Sequence, residues 1–379
     1  MNELIKIIQL YDSINFSERK AALATVVAVN GSSYRRPGAK MIITDDGKWE
    51  GSISGGCLEG DALRKARSVM NSGEPELITY DTSETGSDHL KFNLGCEGII
   101  QVFIEPLRPE DLHSPIQIYR KVLLQKEEQI VATIVQDAHH ELKGKRFNLS
   151  LTPPTEVPGF LIEGMNRLSE EGKSLIYECV HQHKILLVHI EKIAPQFHLI
   201  IYGAGNDVIP LAKMAIMVGW KVSVTENCLA QLIPKKFSGC DIVFPSDKPV
   251  IDASSCNAYT AAVLMSHNFH YDLSVLRELL TTDIRYIGML GPRKKFEKIR
   301  MALEQEGTVF SENSLHKIHA PVGVDIGAET PEEIALSIVA EIKAVFSGRF
   351  AGYLKERSGP IHERGQDPIL SKLKVKFVA

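Results

Sequence analysis

The sequence predicts an α/β protein in which an N-terminal mixed α/β domain precedes a C-terminal Rossmann-like doubly wound parallel sheet. Three observations carry this expectation. From His198 onward, apolar strands alternate regularly with helical segments, the pattern of a parallel sheet covered on both faces. The first of those strands, Leu199 to Tyr202, runs through Gly203-x-Gly205 into a helix. Before residue 196 the texture differs: β-rich runs are joined by glycine-rich turns and by two helical stretches.

In chain order, an amphipathic helix of about Leu4 to Ile14 opens the first domain. Ala21 to Val29 is β-rich and apolar, and Gly38 to Thr44 forms a second strand that ends at Asp45-Asp-Gly47. A glycine turn with Cys57 follows, then a helix that Gly73 and Pro75 stop. Leu77–Tyr80 and Ile99–Glu105 are further strands, and Cys96 falls just before the latter.

The middle segment, about 115–195, reads either as a degenerate second copy of this unit or as a chance likeness of generic strand-helix-strand units. Ile130–Val135 echoes Leu23–Val29, the helical Phe160–Glu171 echoes the helix after Cys57, and Ile185–Glu191 echoes Ile99–Glu105. Residues 106–114 and 153–158 read as linkers. The two domains are therefore drawn at 1–195 and 196–379.

In the second domain, strands are expected at Leu199–Tyr202, Lys221–Thr225, Asp241–Phe244, Thr260–Met265 and Arg285–Leu290. Thr330-Pro-Glu-Glu333 carries the N-cap, first-turn proline and N3 glutamate of a capping box, which opens a helix through Phe346.

At 379 residues, 44% hydrophobic and 24% charged, the chain has ordinary globular composition and is long enough for two or three cores. A formal charge of -4 gives no basic field, which argues against nucleic acid as a partner. No apolar run approaches the ~18 residues of a membrane span, and the N-terminus carries an acid inside its amphipathic pattern, so a cytoplasmic protein is expected. Six cysteines without a Cys-x-x-Cys pair fit reduced thiols.

Two of those cysteines sit in glycine-rich turns, Cys57 in Gly51-Ser-Ile-Ser-Gly-Gly-Cys-Leu-Glu59 and Cys96 in Leu94-Gly-Cys-Glu-Gly98. Gly55 and Gly56 let a ligand approach the sulfur of Cys57, and the following helix puts that sulfur near a positive dipole end that favours thiolate. Cys57 is thus expected as a nucleophile or soft-metal ligand. The loop Asn30–Lys40 carries Ser32, Ser33, Arg35 and Arg36 in a fixed turn, a pattern suited to phosphate or a polar heterocycle.

In the second domain, Gly203 and Gly205 would turn backbone amides toward a phosphate, with Asn206 beside them and Glu226 at the end of the next strand facing a ribose. Gly288 to Lys295 is another strand-to-helix turn, in which Arg293 is the favoured anion contact. His267 follows an apolar strand, so its ring falls at a carboxyl edge, and His319 lies in a later loop.

Five ordered motifs together resemble the xanthine dehydrogenase accessory protein (XdhC/CoxI) family: Gly31–Met41, Gly51–Glu59, Gly203–Gly205, Tyr286–Lys295 and His319–Ile334. The resemblance covers about residues 5–107 and 197–346, and departs from the family pattern at Glu97 and Asn206. It implies a maturation factor that binds the molybdenum cofactor (molybdopterin), supports its sulfuration and inserts it into a molybdenum hydroxylase apoenzyme of the xanthine dehydrogenase type. It also brings a cysteine desulfurase and a homodimer as expected associations. Soft thiolates suit a metal-dithiolene cargo. On that reading Cys57, Cys96 and His267 carry the chemistry, while Ser32, Arg35, Arg36, Gly55, Gly56, Glu59, Gly203, Gly205, Asn206, Glu226 and Arg293 hold the cofactor. A second reading is an NAD(P)-dependent oxidoreductase acting on a small molecule, with Glu226 favouring NAD.

Overall fold

The computed structural model describes residues 2–31, 33–81, 98–111, 114–137, 141–171, 174–228, 232–243 and 256–358. Its contacts divide the chain after Pro195 into two units.

The first unit opens with α1 (Asn2–Asp12), β1 (Ala21–Gly31), β2 (Lys40–Thr44) and β3 (Trp49–Gly51), followed by α2 (Glu59–Ser72), β4 (Glu76–Asp81) and β5 (Gly98–Leu107). The strands form a sheet in the order β3-β2-β1-β5-β4 with every pairing antiparallel. The apolar start of β1 is buried at successive positions because both faces of the sheet are covered. Ala22, Ala24 and Val26 meet Ala62, Ala66, Val69 and Met70 of α2, whose spacing follows one helical face. Gly73 ends α2 in the left-handed region at φ 73°, returning its N–H to Val69.

A second set follows within the same unit: α3 (Pro115–Leu123), β6 (Gln129–Asp137), β7 (Arg146–Asn148), α4 (Gly159–Glu171), β8 (Leu175–His181) and β9 (Lys184–Ile193). Its sheet runs β7-β6-β9-β8, again antiparallel throughout. Leu161 and Leu168 of α4 pack on Ala132, Ile134, Tyr177 and Val188. The helix α3 has no counterpart in the sequence expectation. Ser114 starts it by accepting the Gln117 amide, with Pro115 in the first turn. The open faces of the two sheets share a core of Val27, Ala28, Phe103, Val135, Ile176 and Leu187.

The second unit contains β10 (His198–Tyr202), α5 (Val208–Met217), β11 (Lys221–Thr225), β12 (Asp241–Ile242), β13 (Thr260–Leu264), α6 (Phe269–Leu279), β14 (Tyr286–Met289), α7 (Arg293–Gln305), α8 (Glu312–His316), β15 (Ile318–His319) and α9 (Pro331–Phe346). The sheet order is β12-β11-β10-β13-β14-β15, and each pairing is parallel. The chain winds outward one way from β10 and then the other way from β13, the Rossmann order, so a crevice opens at the carboxyl ends of these two strands. α5 and α9 cover one face, α6 and α7 the other. The capping box at Thr330 and Glu333 forms as the sequence anticipates, a feature worth about 1 kcal/mol. The strand expected at Asp241–Phe244 ends at Ile242, and Phe244 lies outside the described residues. Among the described residues no helix is long and apolar enough to cross a membrane.

Candidate functional site

In the first unit the Cys57 turn is built on Gly51, which sits at φ 87° with its α-carbon against β2. A Cβ there would meet the Lys40 carbonyl oxygen at 2.2 Å, so only glycine lets the chain leave β3 at this point. The Ser52 amide donates to Glu3 Oε1 at 3.1 Å, and Arg35 pairs with the other oxygen of Glu3. Glu3 thereby ties the arginine loop to the cysteine turn.

Glu59, the first residue of α2, organises the rest. Its Oε1 accepts the Ser54 amide at 2.8 Å and the Ser52 hydroxyl at 2.9 Å, while Oε2 accepts the Ser54 hydroxyl. The Ser54 Oγ in turn accepts the amides of Cys57 at 3.1 Å and Leu58 at 3.0 Å. Burial pushes the Glu59 carboxyl up, but these hydrogen bonds outweigh it and hold the group below the usual carboxylate range. An ionised Glu59 and the Ser54 hydroxyl therefore satisfy the start of α2, where Leu58 supplies no side-chain cap.

Cys57 is a free, half-buried thiol just ahead of that helix. Gly56, at φ 105°, has no atom of the described residues within 4 Å of where a Cβ would stand, whereas Gly55 lies under the exposed ring of Tyr34. The two glycines before Cys57 thus differ, one packed under an aromatic ring and the other without a described neighbour. Such a turn can present a soft donor to a ligand without moving. Arg36 is exposed, its carbonyl closing a turn with the Ala39 amide. Ser32 and Cys96 lie outside the described residues.

In the second unit, Gly203 and Gly205 occupy the β10-to-α5 turn. A Cβ on Gly203 would meet the Met265 carbonyl oxygen at 2.5 Å, so the ends of β10 and β13 touch there. His267 follows β13 in the left-handed region at φ 56°, uncommon for a residue with a side chain, and its Nε2 lies 3.0 Å from Asp207 Oδ2. Asp207 itself covers Gly205, its Oδ1 only 2.4 Å from where a Cβ would be. Asn206 beside it is exposed.

Glu226 directly follows β11 and is almost fully buried. Its Oε1 accepts the amides of Asn227 at 2.8 Å and Cys228 at 3.4 Å, while Oε2 has no hydrogen-bond partner among the described residues. Burial pushes this carboxyl up despite those amides. Of the basic residues that open α7, Lys295 turns inward, 2.5 Å from Asp272 and 3.2 Å from the Leu290 carbonyl, while Arg293 stays exposed. Asp272 also accepts the Ser266 hydroxyl at 2.6 Å.

His319 has a partner that the sequence does not mark. Glu341 of α9 accepts the Tyr286 hydroxyl at 2.5 Å and the Gly323 amide at 2.8 Å, and lies 3.1 Å from His319 Nδ1. Burial raises the Glu341 carboxyl, but those donors prevail and keep it below its usual range. This cluster pins the His319–Gly323 loop to α9. Glu3 and Glu341 come from helices distant in sequence from the groups they hold, and no local motif flags them, whereas Ser54 and Asp207 lie within or beside the glycine turns without being singled out there. Among the described residues no group of three or more His, Cys, Asp or Glu side chains is arranged to hold a metal ion.

Comparison with known proteins agrees with this architecture. The XdhC and CoxI family model matches residues 17–81 and the XdhC Rossmann domain model matches residues 199–342, together more than half of the chain. The chain is 28% identical over 339 residues to a probable xanthine dehydrogenase component of Bacillus subtilis, covering 88% of this chain and 95% of that protein. It is 24% identical over 329 residues to the molybdenum cofactor insertion chaperone PaoD of Escherichia coli, covering 87% and 84%. A crystal structure of a xanthine dehydrogenase from Bacillus halodurans superposes with a TM-score of 0.67 at 25% identity, over 92% of this chain and 97% of that one. With the glycine turn of the one domain and the Rossmann sheet of the other in place, the chain belongs to the XdhC and CoxI family.

Proposed function

We propose that this chain is a maturation factor for a molybdenum hydroxylase of the xanthine dehydrogenase type, binding the molybdenum cofactor as cargo and delivering it to the apoenzyme. The likeness to the insertion chaperone PaoD over 84% of that protein's length is the observation that carries the reading. The residues of the first unit suit the cargo. A thiol on a turn held by Ser54 and Glu59, with no described residue crowding Gly56, offers a soft donor to a metal-dithiolene centre. Because Arg35 is already paired with Glu3, exposed Arg36 is the stronger contact for a phosphate.

Sulfuration is assigned to the same thiol. A Cys57 thiolate attacks the outer sulfur of a desulfurase persulfide, the donor leaves as its own thiolate, and Cys57 carries the persulfide onward. In the second unit, Glu226, whose Oε2 has no hydrogen-bond partner among the described residues, favours a separate nucleotide-binding reading, in which that oxygen accepts a ribose hydroxyl and NAD(H) is the ligand to test.

The test is reconstitution. Full-length protein loaded with molybdenum cofactor is mixed with a cofactor-free molybdenum hydroxylase, and hydroxylase activity is followed. Faster recovery than with free cofactor at equal concentration supports delivery. Equal or slower recovery contradicts it.

A further inference from the structure

Four strands of the first sheet, β2-β1-β5-β4, match the four of the second, β7-β6-β9-β8, and only β3 is left without a counterpart among the described residues. In the first, Thr25 faces Lys40 on one side and Phe103 on the other. In the second, Thr133 faces Arg146 and His189 in the same way. The register of β1 with β5 slips between Val26 and Ala28, and that of β6 with β9 slips between Ile134 and Gln136, so each pair has its bulge at the same step. Gly38 at φ 93° gives its amide to Val26 at 2.7 Å, and Gly144 at φ 85° gives its amide to Ile134 at 2.8 Å. A bulge, a left-handed glycine and a threonine repeated in one register are more than generic strand-helix-strand units share.

The contacts between the sheets are exchanged reciprocally. Lys40 of the first sheet pairs with Glu191 of the second at 2.5 Å, and Arg146 of the second pairs with Glu105 of the first, Nη1 to Oε2, at 2.7 Å. By register Lys40 corresponds to Arg146 and Glu105 to Glu191, so each cation reaches the carboxylate of the other set. Each cation also donates to the carbonyl of its own glycine, Gly38 at 3.0 Å and Gly144 at 3.3 Å. Asp12 and Arg120, which follow Tyr11 of α1 and Tyr119 of α3, pair with each other, as corresponding residues do beside a two-fold axis.

We infer that residues 114–193 are a second copy of the domain formed by residues 2–107, held against it as a dimer within one chain, and that only the first copy carries a competent cysteine turn. The losses are localised. β8 and β9 are joined by Gln182 and His183 alone, where the first copy has residues 82–97, which include Cys96. Between β7 and α4 the chain runs through residues 149–158, with no cysteine, where the first copy has the longer segment 45–58 with Cys57. The scaffold is kept and both cysteines are gone, which leaves the described Cys57 turn of the first copy as the place of the chemistry. The second copy thus serves as the partner that completes the buried face of the first. On the maturation reading proposed above, one chain takes one molybdenum cofactor through this domain.

The experiment grafts Ile43–Glu59 in place of Leu149–Pro158 in the full chain. The expected result is a second thiol that reacts with monobromobimane within about twofold of the rate of Cys57, and a cofactor stoichiometry that rises from one to two per chain. A grafted thiol that reacts like a cysteine in a disordered peptide, or a stoichiometry that stays at one with both thiols equally reactive, overturns the inference. If the unmodified chain binds no cofactor, the maturation reading fails while the thiol comparison still decides the duplication. Should the graft fail to fold, exchanging the cations through Lys40→Arg with Arg146→Lys provides the second test. Equivalent sites keep the melting temperature within a few degrees, against a loss on the order of 10 °C for Lys40→Met, which strands a buried carboxylate. An exchange as damaging as Lys40→Met contradicts the equivalence.

Discussion

Glu59 takes both the amide and the hydroxyl of Ser54, and that hydroxyl receives the amide of Cys57, so the position of the thiol is set by a carboxylate two residues further along the chain. A free cysteine in a glycine turn would otherwise sample many orientations. Here the sulfur is carried on a backbone fixed at both ends.

Ser54→Ala removes a hydroxyl that bridges three groups and should cost about 1–3 kcal/mol of stability. Chemical denaturation measures this. Cofactor affinity should fall about tenfold or more in the same variant, because Cys57 is no longer held. Unchanged affinity would mean that the turn adapts to its ligand.

The sign of the Glu59 effect follows from its lowered carboxyl. Its contribution to stability is present above the ordinary carboxylate range and is lost as pH falls through the lowered value in the folded state. Denaturation of wild type and Glu59→Gln between pH 3 and 7 should therefore converge at the acid end.

His189 gives a second acid-sensitive contribution. Burial, aided by Lys40 and Arg146, pushes its imidazole down to about 4, while Glu191 opposes the shift. The folded state keeps it neutral where the unfolded chain takes a proton, so stability falls as pH drops from about 6.5 to about 4, at most about 1.4 kcal/mol per pH unit. His189→Phe, which installs the residue found at the matching position Phe103, should flatten that slope.

Thiol reactivity should be selective. Burial pushes Cys179 and Cys240 up to about 11, so both remain protonated at pH 8 and resist alkylation. In a Cys228→Ser background, which removes the exposed thiol, peptide mapping after brief bromobimane treatment should find Cys57 labelled and those two unlabelled.

Gly203→Ala should lower the stability of the Rossmann unit by about 2 kcal/mol or more, since a methyl group would collide with the Met265 carbonyl at a backbone angle side chains avoid. NAD(H) titration by calorimetry, wild type beside Glu226→Gln, tests the nucleotide reading of the same edge. Binding weakened in the variant supports it, and heat absent from wild type removes it.

The architecture of the second unit was legible because its signals are local: apolar strands spaced by helices, a Gly-x-Gly turn and a capping box. The first unit shows only part of itself. Its glycine turn identifies Cys57, but nothing near Glu3 announces that this residue of the opening helix bridges Arg35 and Ser52. Nor does the isolated string Arg146-Phe-Asn148 reveal a strand, because its cation matches Lys40 only through register. Side chains that act across the fold leave no periodic trace in sequence.

Retention of the molybdenum cofactor by purified full-length protein, wild type beside Cys57→Ser, tests the assignment of the thiol most directly. One cofactor per chain in wild type and loss of most of it in the serine variant, with unchanged melting temperature, is the expected result. Equal retention by both proteins would contradict the role given to Cys57.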